Sequence, residues 1–172
     1  MQVIDHGTQP SKDPQYEPSR QLEVMFEVMD ESTEFENKDG TKETKPFALR
    51  MYVSPYISYK ADKITNYHKF VRNVAWKEVS HDEAKEFDFE KYLWTVYTAT
   101  VVDNWWFMNI QSFVKASDRL VDSYKDYVPY NPKFVFSLEE FDQKLFDWFT
   151  EKKRIKIMNS PEYKKATEDL PF

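Results

Sequence analysis

The stretch 47–77, FALRMYVSPYISYKADKITNYHKFVRNVAWK, changes period in its middle. Phe47, Leu49, Met51 and Val53 alternate with Arg50 and Tyr52, which is the pattern of a half-buried strand with Arg50 and Tyr52 on the face turned away from the core. Pro55 cannot donate to a ladder, so it closes the strand. From about Asp62 the apolar residues Ile64, Tyr67, His68, Val71 and Val74 fall at helical spacing. A strand therefore runs into a helix. The same stretch holds six cations, Arg50, Lys60, Lys63, Lys69, Arg72 and Lys77, against one acid, Asp62, in a chain whose formal charge is −6. Aromatic rings sit among the cations. Cations track phosphates and flat rings stack on bases, which is the physics of single-stranded nucleic-acid binding. The plainer reading makes the rings core and the charges a solvated face.

Outward from this junction the strands multiply. Before it, Arg20–Met29 alternates, with Leu22, Val24, Phe26 and Val28 on one face. Residues 30–45 read as a charged connection around the turn signal Asp39-Gly40. Residues 1–4 read as the end of a very short first strand, as if its beginning were missing, and 5–19 as a loop containing Gly7, Pro10, Pro14 and Pro18. After the junction, Ser80-His81-Asp82-Glu83 is a capping box opening a short helix. Residues 92–103, YLWTVYTATVVD, are β-branched and apolar on both faces, as in a central strand. Residues 107–114 are its hairpin partner, with Met108, Ile110 and Val114 inward and Phe113 outward. Trp105 and Trp106 fall at the tip, as a lid on the core or as a stacking platform. A second capping box, Ser137-Leu138-Glu139-Glu140, opens an amphipathic helix carrying Leu138, Phe141, Leu145, Trp148 and Phe149. The cations Lys152, Lys153, Arg154 and Lys156 follow it, where they complement a helix dipole.

This order of periods predicts a mainly β fold with accessory helices: a five-stranded OB-fold-like barrel over residues 1–116, with a helix between strands three and four. A linker and the C-terminal amphipathic helix fill 117–158, packed on the barrel or on a partner subunit, and 159–172 form a flexible acidic tail.

Composition bounds the function. The 172 residues fit one domain with an appendage, and aromatic residues reach 17%. Two glycines leave no glycine-rich phosphate cradle, and the absence of cysteine excludes disulfides, thiolate zinc sites and a cysteine nucleophile. No signal peptide or bilayer-spanning run is present, so a cytoplasmic protein is expected. His6, His68 and His81 lack ligand spacing, and the carboxylate pairs Asp82/Glu83 and Glu139/Glu140 are accounted for as caps. No catalytic residue, metal or cofactor is expected. The acidic total argues against wrapping duplex DNA but leaves room for a local basic groove.

Several diffuse motifs resemble one family. They are Asp5-His6-Gly7-Thr8-Gln9, Arg20-Gln21 leading into Phe26-Glu27, Pro46-Phe47, the segment 58–70, Phe87-Asp88-Phe89, Asn109-Ile110-Gln111-Ser112 and Ser160-Pro161-Glu162-Tyr163. Together they resemble the phage-encoded OB-fold single-stranded DNA-binding and replication-associated proteins. Two features depart from that family: it carries more chain before the first of these motifs, and it places a glycine near the position of Trp94. The resemblance implies a protein that coats single-stranded DNA during phage DNA replication or recombination. From the residues, Arg50, Lys60, Lys63 and Arg72 are the candidate phosphate contacts, and Tyr52, Tyr56, Tyr59, Trp105, Trp106 and Phe107 the candidate aromatic contacts. The last residues, Asp169, Leu170, Pro171 and Phe172, resemble the acidic C-terminal tip of bacterial single-stranded DNA-binding proteins, which recruits replication and recombination proteins. A homo-oligomer is among the partners considered. The alternative function is an OB-fold protein-interaction or assembly module that binds no nucleic acid, with Trp105 and Trp106 as its anchor.

Overall fold

A computed structural model of the chain describes residues 1–11, 13–37, 39–60, 63–103 and 108–168, with the side chains of Asp103 and Glu168 outside the description. The fold is rich in β structure with short helices around it. Strands β1 (Gln2–Gln9), β2 (Ser19–Glu36), β3 (Lys42–Val53) and β6 (Val135–Phe136) form a sheet of order β3-β2-β1-β6. Strands β4 (Tyr97–Asp103) and β5 (Met108–Lys115) form a separate two-stranded sheet. Helices α1 (Asn66–Ala75) and α2 (His81–Lys85) lie between β3 and β4, as the period change predicts. Helices α3 (Asp118–Ser123), α4 (Gln143–Trp148), α5 (Glu151–Met158) and α6 (Pro161–Glu168) follow β5. Among the described residues no helix is long and apolar enough to cross a membrane.

Among the described residues the two sheets are not joined into a closed barrel, which corrects the five-stranded barrel expected from the sequence. Strand β1 runs antiparallel to β2 on one edge, and on the other it takes the parallel strand β6, through Val3↔Val135 and Ile4↔Phe136. That edge is thus shared with a strand far along the chain, and among the described residues β4 pairs with β5 alone.

Strand β1 also corrects the reading of residues 5–9 as loop. These polar residues form buried strand because each polar group finds a partner. Asp5 accepts from Arg20 and from the amide of Gly7 (2.9 Å), His6 pairs with Glu23, and Gln9 Nε2 donates to the carbonyl of His6 (2.7 Å). A bulge between Asp5 and Thr8 carries Gly7 at φ +67°. The strand is buried on both faces. Val3 joins Leu22, Val24, Phe70, Val71 and Phe113 in one core, and Ile4 joins Phe136, Leu138, Phe146, Phe149 and Ile157 in a second.

Residues 30–45, expected as a connection, extend β2 and β3 into a long hairpin closed at Asp39-Gly40, with Gly40 at φ +81° and its amide donating to the carbonyl of Asn37 (3.0 Å). Asp39 Oδ1 accepts from the Thr41 amide and hydroxyl, so the turn residues satisfy one another.

Helix α1 begins later than Asp62. Thr65 caps it, its hydroxyl accepting from the His68 amide (3.2 Å) and donating to the carbonyl of Tyr56 (2.7 Å), and Ile64 is left exposed before the first turn. The Ser80 capping box forms as read. Strand β4 starts only at Tyr97, after a 3₁₀ turn at Glu90–Tyr92, and it is no central strand: Val101 and Val102 are exposed. In β5 a bulge opposite Thr100/Val101 inserts Gln111 and reverses the alternation beyond it, so Phe113 is buried and Val114 exposed; Met108, ahead of the bulge, is exposed as well.

The second capping box does not form. Ser137 Oγ accepts from the Glu139 amide, and Asp142 caps α4 by accepting from the amides of Lys144 (2.8 Å) and Leu145 (3.1 Å). The helix then breaks at Phe149, which is extended (ψ 151°) and turns its ring into the second core, leaving Trp148 exposed. Residues 161–168, expected within a flexible tail, form α6, which docks on β1: Glu162 accepts from the Thr8 amide (2.8 Å) and hydroxyl (2.6 Å).

Candidate nucleic-acid interface

The outward face of β3 carries Arg50 and Tyr52, as its alternation requires, and both are more than half exposed. Register places Tyr52 opposite Glu23 of β2 and Arg50 opposite Met25. Helix α5 closes this face from one side and brings two further cations to it. Lys153 Nζ donates to Glu23 Oε1 (3.2 Å), and Lys156 Nζ donates to Gln21 Oε1 (3.2 Å) while lying 4.7 Å from the centre of the Tyr52 ring. Helix α5 is anchored to β1 beneath, where Gln9 Nε2 donates to the Lys156 carbonyl (3.0 Å) and Ile157 is fully buried.

Glu23 sits at the bottom of this arrangement and is almost completely buried. His6 Nε2 donates to its Oε2 at 2.8 Å, and the Arg50 guanidinium approaches Oε1 to 3.8 Å. Burial by itself would raise the carboxyl, but the His6 hydrogen bond and the Lys153 charge outweigh it and hold Glu23 at about 2. Burial pushes Lys153 below the ordinary lysine value, against the pull of Glu23. One buried anion thus fixes the feet of Arg50 and Lys153, and Lys156 joins these two cations beside the Tyr52 ring. More than half of Tyr52 is exposed, and its ring also meets His6 edge-on at 6.1 Å. Such a surface can accept a planar ring against Tyr52 and an anion beside it.

The remaining sequence candidates fall in three groups. Tyr56, Tyr59, Lys60 and Lys63 lie on the exposed loop that leads from β3 to α1, with the Lys60 ammonium 5.8 Å from the Tyr59 ring centre. They continue the chain from Tyr52. Arg72, on α1, is drawn elsewhere: it is ion-paired with Glu78 beyond the helix end and shares a surface concavity with Lys69, Asn73, Trp76 and Lys77. Trp105, Trp106 and Phe107, and the tail residues Asp169, Leu170, Pro171 and Phe172, lie outside the described residues. The histidines that carry no ligand spacing are engaged in packing: His68 Nε2 donates to the Val79 carbonyl (2.5 Å), and its ring meets His81 edge-on.

Sequence reading missed Lys153, Lys156, Glu23 and His6. The run 152–156 was visible, but its cations have a sufficient local explanation at a helix end. Only the tertiary path of α5 across β1 brings them within reach of a tyrosine about a hundred positions earlier. Comparison with known proteins returns no matching family model, no matching curated protein and no matching solved structure.

Proposed function

We propose that this chain binds single-stranded DNA with little sequence preference and without chemistry. The observation that carries the reading is the exposed Tyr52 ring on the sheet face, flanked by Arg50 of β3 and by Lys153 and Lys156 of α5. The loop bearing Tyr56, Tyr59, Lys60 and Lys63 extends the same combination of rings and cations for further nucleotides. Cations give affinity that weakens with salt, and stacking tolerates any base because every base has a π-face. The fold reading that accompanies it is an open OB-type arrangement: α1 separates β3 from β4, and β5 lies beside β3. By the resemblance, the setting is phage DNA replication or recombination, with Asp169–Phe172 recruiting partner proteins. Titration of the protein with an oligo-dT strand at low and high salt tests the reading.

A second reading, a protein-interaction module, is supported by a different surface. Val101 and Met108 on one face of the β4–β5 hairpin, and Val102 and Val114 on the other, are exposed and offer apolar contacts to a protein partner. A chain with that function alone leaves oligonucleotides unbound.

A further inference from the structure

Helix α1 ends on a strained residue. Trp76 is its C-cap at φ +54° and ψ 35°, and among the described residues it is the only one other than glycine at positive φ. Glycine takes this left-handed position freely, whereas a side chain with a Cβ is strained there. Burial does not offset the strain, because Trp76 is 57% exposed. A large ring held in solvent by a strained backbone points to a role outside the fold.

Cations gather beside this ring. One face of α1 buries Tyr67, Phe70, Val71 and Val74. Lys69, Arg72 and Asn73 stand one and two turns before Trp76 on the other face, and with Trp76, Lys77 and Glu78 they line a concavity of about 380 Å³. Glu78 is the one acid of this lining and is paired with Arg72, and Glu83 reaches Lys77 at 3.4 Å. The exposed Lys69 ammonium has no ion pair among the described residues. A solvated helix face accounts for the cations but not for a strained, exposed tryptophan among them.

We propose that this concavity is a second contact for a single nucleic-acid strand, in which a base stacks on Trp76 and neighbouring phosphates meet Lys69 and Lys77. This contact rests on the single-stranded DNA reading of the Tyr52 face and extends it. A ring ringed by cations suits a ligand that joins a planar group to an anion, and a nucleotide is such a ligand. An acidic peptide would use the cations and leave the ring idle. Thr65, the N-cap of α1, donates to the carbonyl of Tyr56 in the loop that follows Tyr52, and the ten residues of the helix carry the chain about 15 Å from there to Trp76. A strand of about 30 nucleotides, at roughly 3.4 Å each when stacked, is longer than this separation.

The test uses the full chain and a labelled dT strand of about 30 nucleotides. Trp76→Gly removes the ring and supplies the residue that the left-handed cap favours, so binding is expected to weaken about tenfold with no fall in the thermal midpoint. Trp76→Phe keeps a ring and is expected to retain most of the affinity. Lys69→Gln is expected to make the slope of log K against log salt shallower by about 0.7, while Trp76→Gly leaves the slope unchanged. Native affinity in Trp76→Gly, or an unchanged slope in Lys69→Gln, overturns this contact; if Tyr52→Ala weakens binding in the same series, the Tyr52 reading stands without it. Displacement of the labelled strand by poly-glutamate as readily as by unlabelled dT assigns the cations to an acidic peptide and also overturns it. Absence of binding by the native chain at low salt overturns both readings.

Discussion

The ammonium of Lys156 lies 4.7 Å from the centre of the Tyr52 ring, joining the last turn of α5 to the outward face of β3. The contact covers one side of the tyrosine with a cation and leaves the rest of an exposed ring available. It also places a positive charge beside the ring, within reach of a phosphate next to a stacked base.

Tyr52→Ala is expected to weaken binding of a dT strand by about 1–3 kcal/mol, the range for losing one stacked base, whereas Tyr52→Phe keeps most of the affinity. Fluorescence anisotropy of a labelled strand measures both. Equal losses in the two variants would assign the effect to the hydroxyl and remove the stacking role.

Lys156→Gln removes a charge and leaves a side chain able to reach Gln21. If Lys156 meets a phosphate, the slope of log K against log salt becomes shallower by about 0.7 for a single strand. Binding isotherms at several salt concentrations give this slope. A loss of affinity at unchanged slope contradicts a phosphate contact.

Glu23 makes stability depend on pH in a defined window. Its carboxyl is held at about 2, below the ordinary 4.5, so it contributes stability that is fully present above pH 4.5 and lost as pH falls toward 2. The loss is expected to be roughly 2–3 kcal/mol. Denaturant melts at intervals through this window measure it, and Glu23→Gln is expected to be less stable at neutral pH and flatter across the window. An equally steep fall in the variant would place the acid sensitivity elsewhere.

Gly7 is held at φ +67°, and a Cβ there would stand 2.4 Å from Ser160 Oγ and 2.5 Å from Ser160 Cβ. Gly7→Ala therefore combines a left-handed backbone with a collision against the residue that leads into α6. Destabilisation of roughly 2–4 kcal/mol is expected, read from the denaturant midpoint. Adding Ser160→Gly removes the two Ser160 atoms from the path of the Cβ, leaving the approach to Glu162 Oε2 (2.8 Å), and is expected to recover part of the loss.

These positions show which parts of the structure were legible in the sequence. The alternation of 20–29 and 47–53, the helix after the junction and the Ser80 cap follow from local periods, and all are present. Arg50 and Tyr52 were legible for the same reason. What local pattern missed depends on distant partners. Asp5 to Gln9 read as loop because buried polar residues need Arg20, Glu23 and Lys156 to satisfy them. Phe113 read as outward because the Gln111 bulge shifts the register by one. The helix expected from Ser137 failed because Asp142 offers the better cap and Phe149 gains more by leaving the helix for the core.

The Tyr52 face is proposed to bind single-stranded DNA. The most direct measurement is anisotropy of a labelled dT strand of about 30 nucleotides, longer than one OB-type site, titrated at low and high salt with the native chain and with the triple change Arg50→Ala, Tyr52→Ala, Lys156→Ala. The native chain is expected to bind saturably, more weakly as salt rises, and the triple variant, while retaining its fold, to lose nearly all binding. Absence of binding by the native chain at low salt, or undiminished binding by the variant, would contradict it.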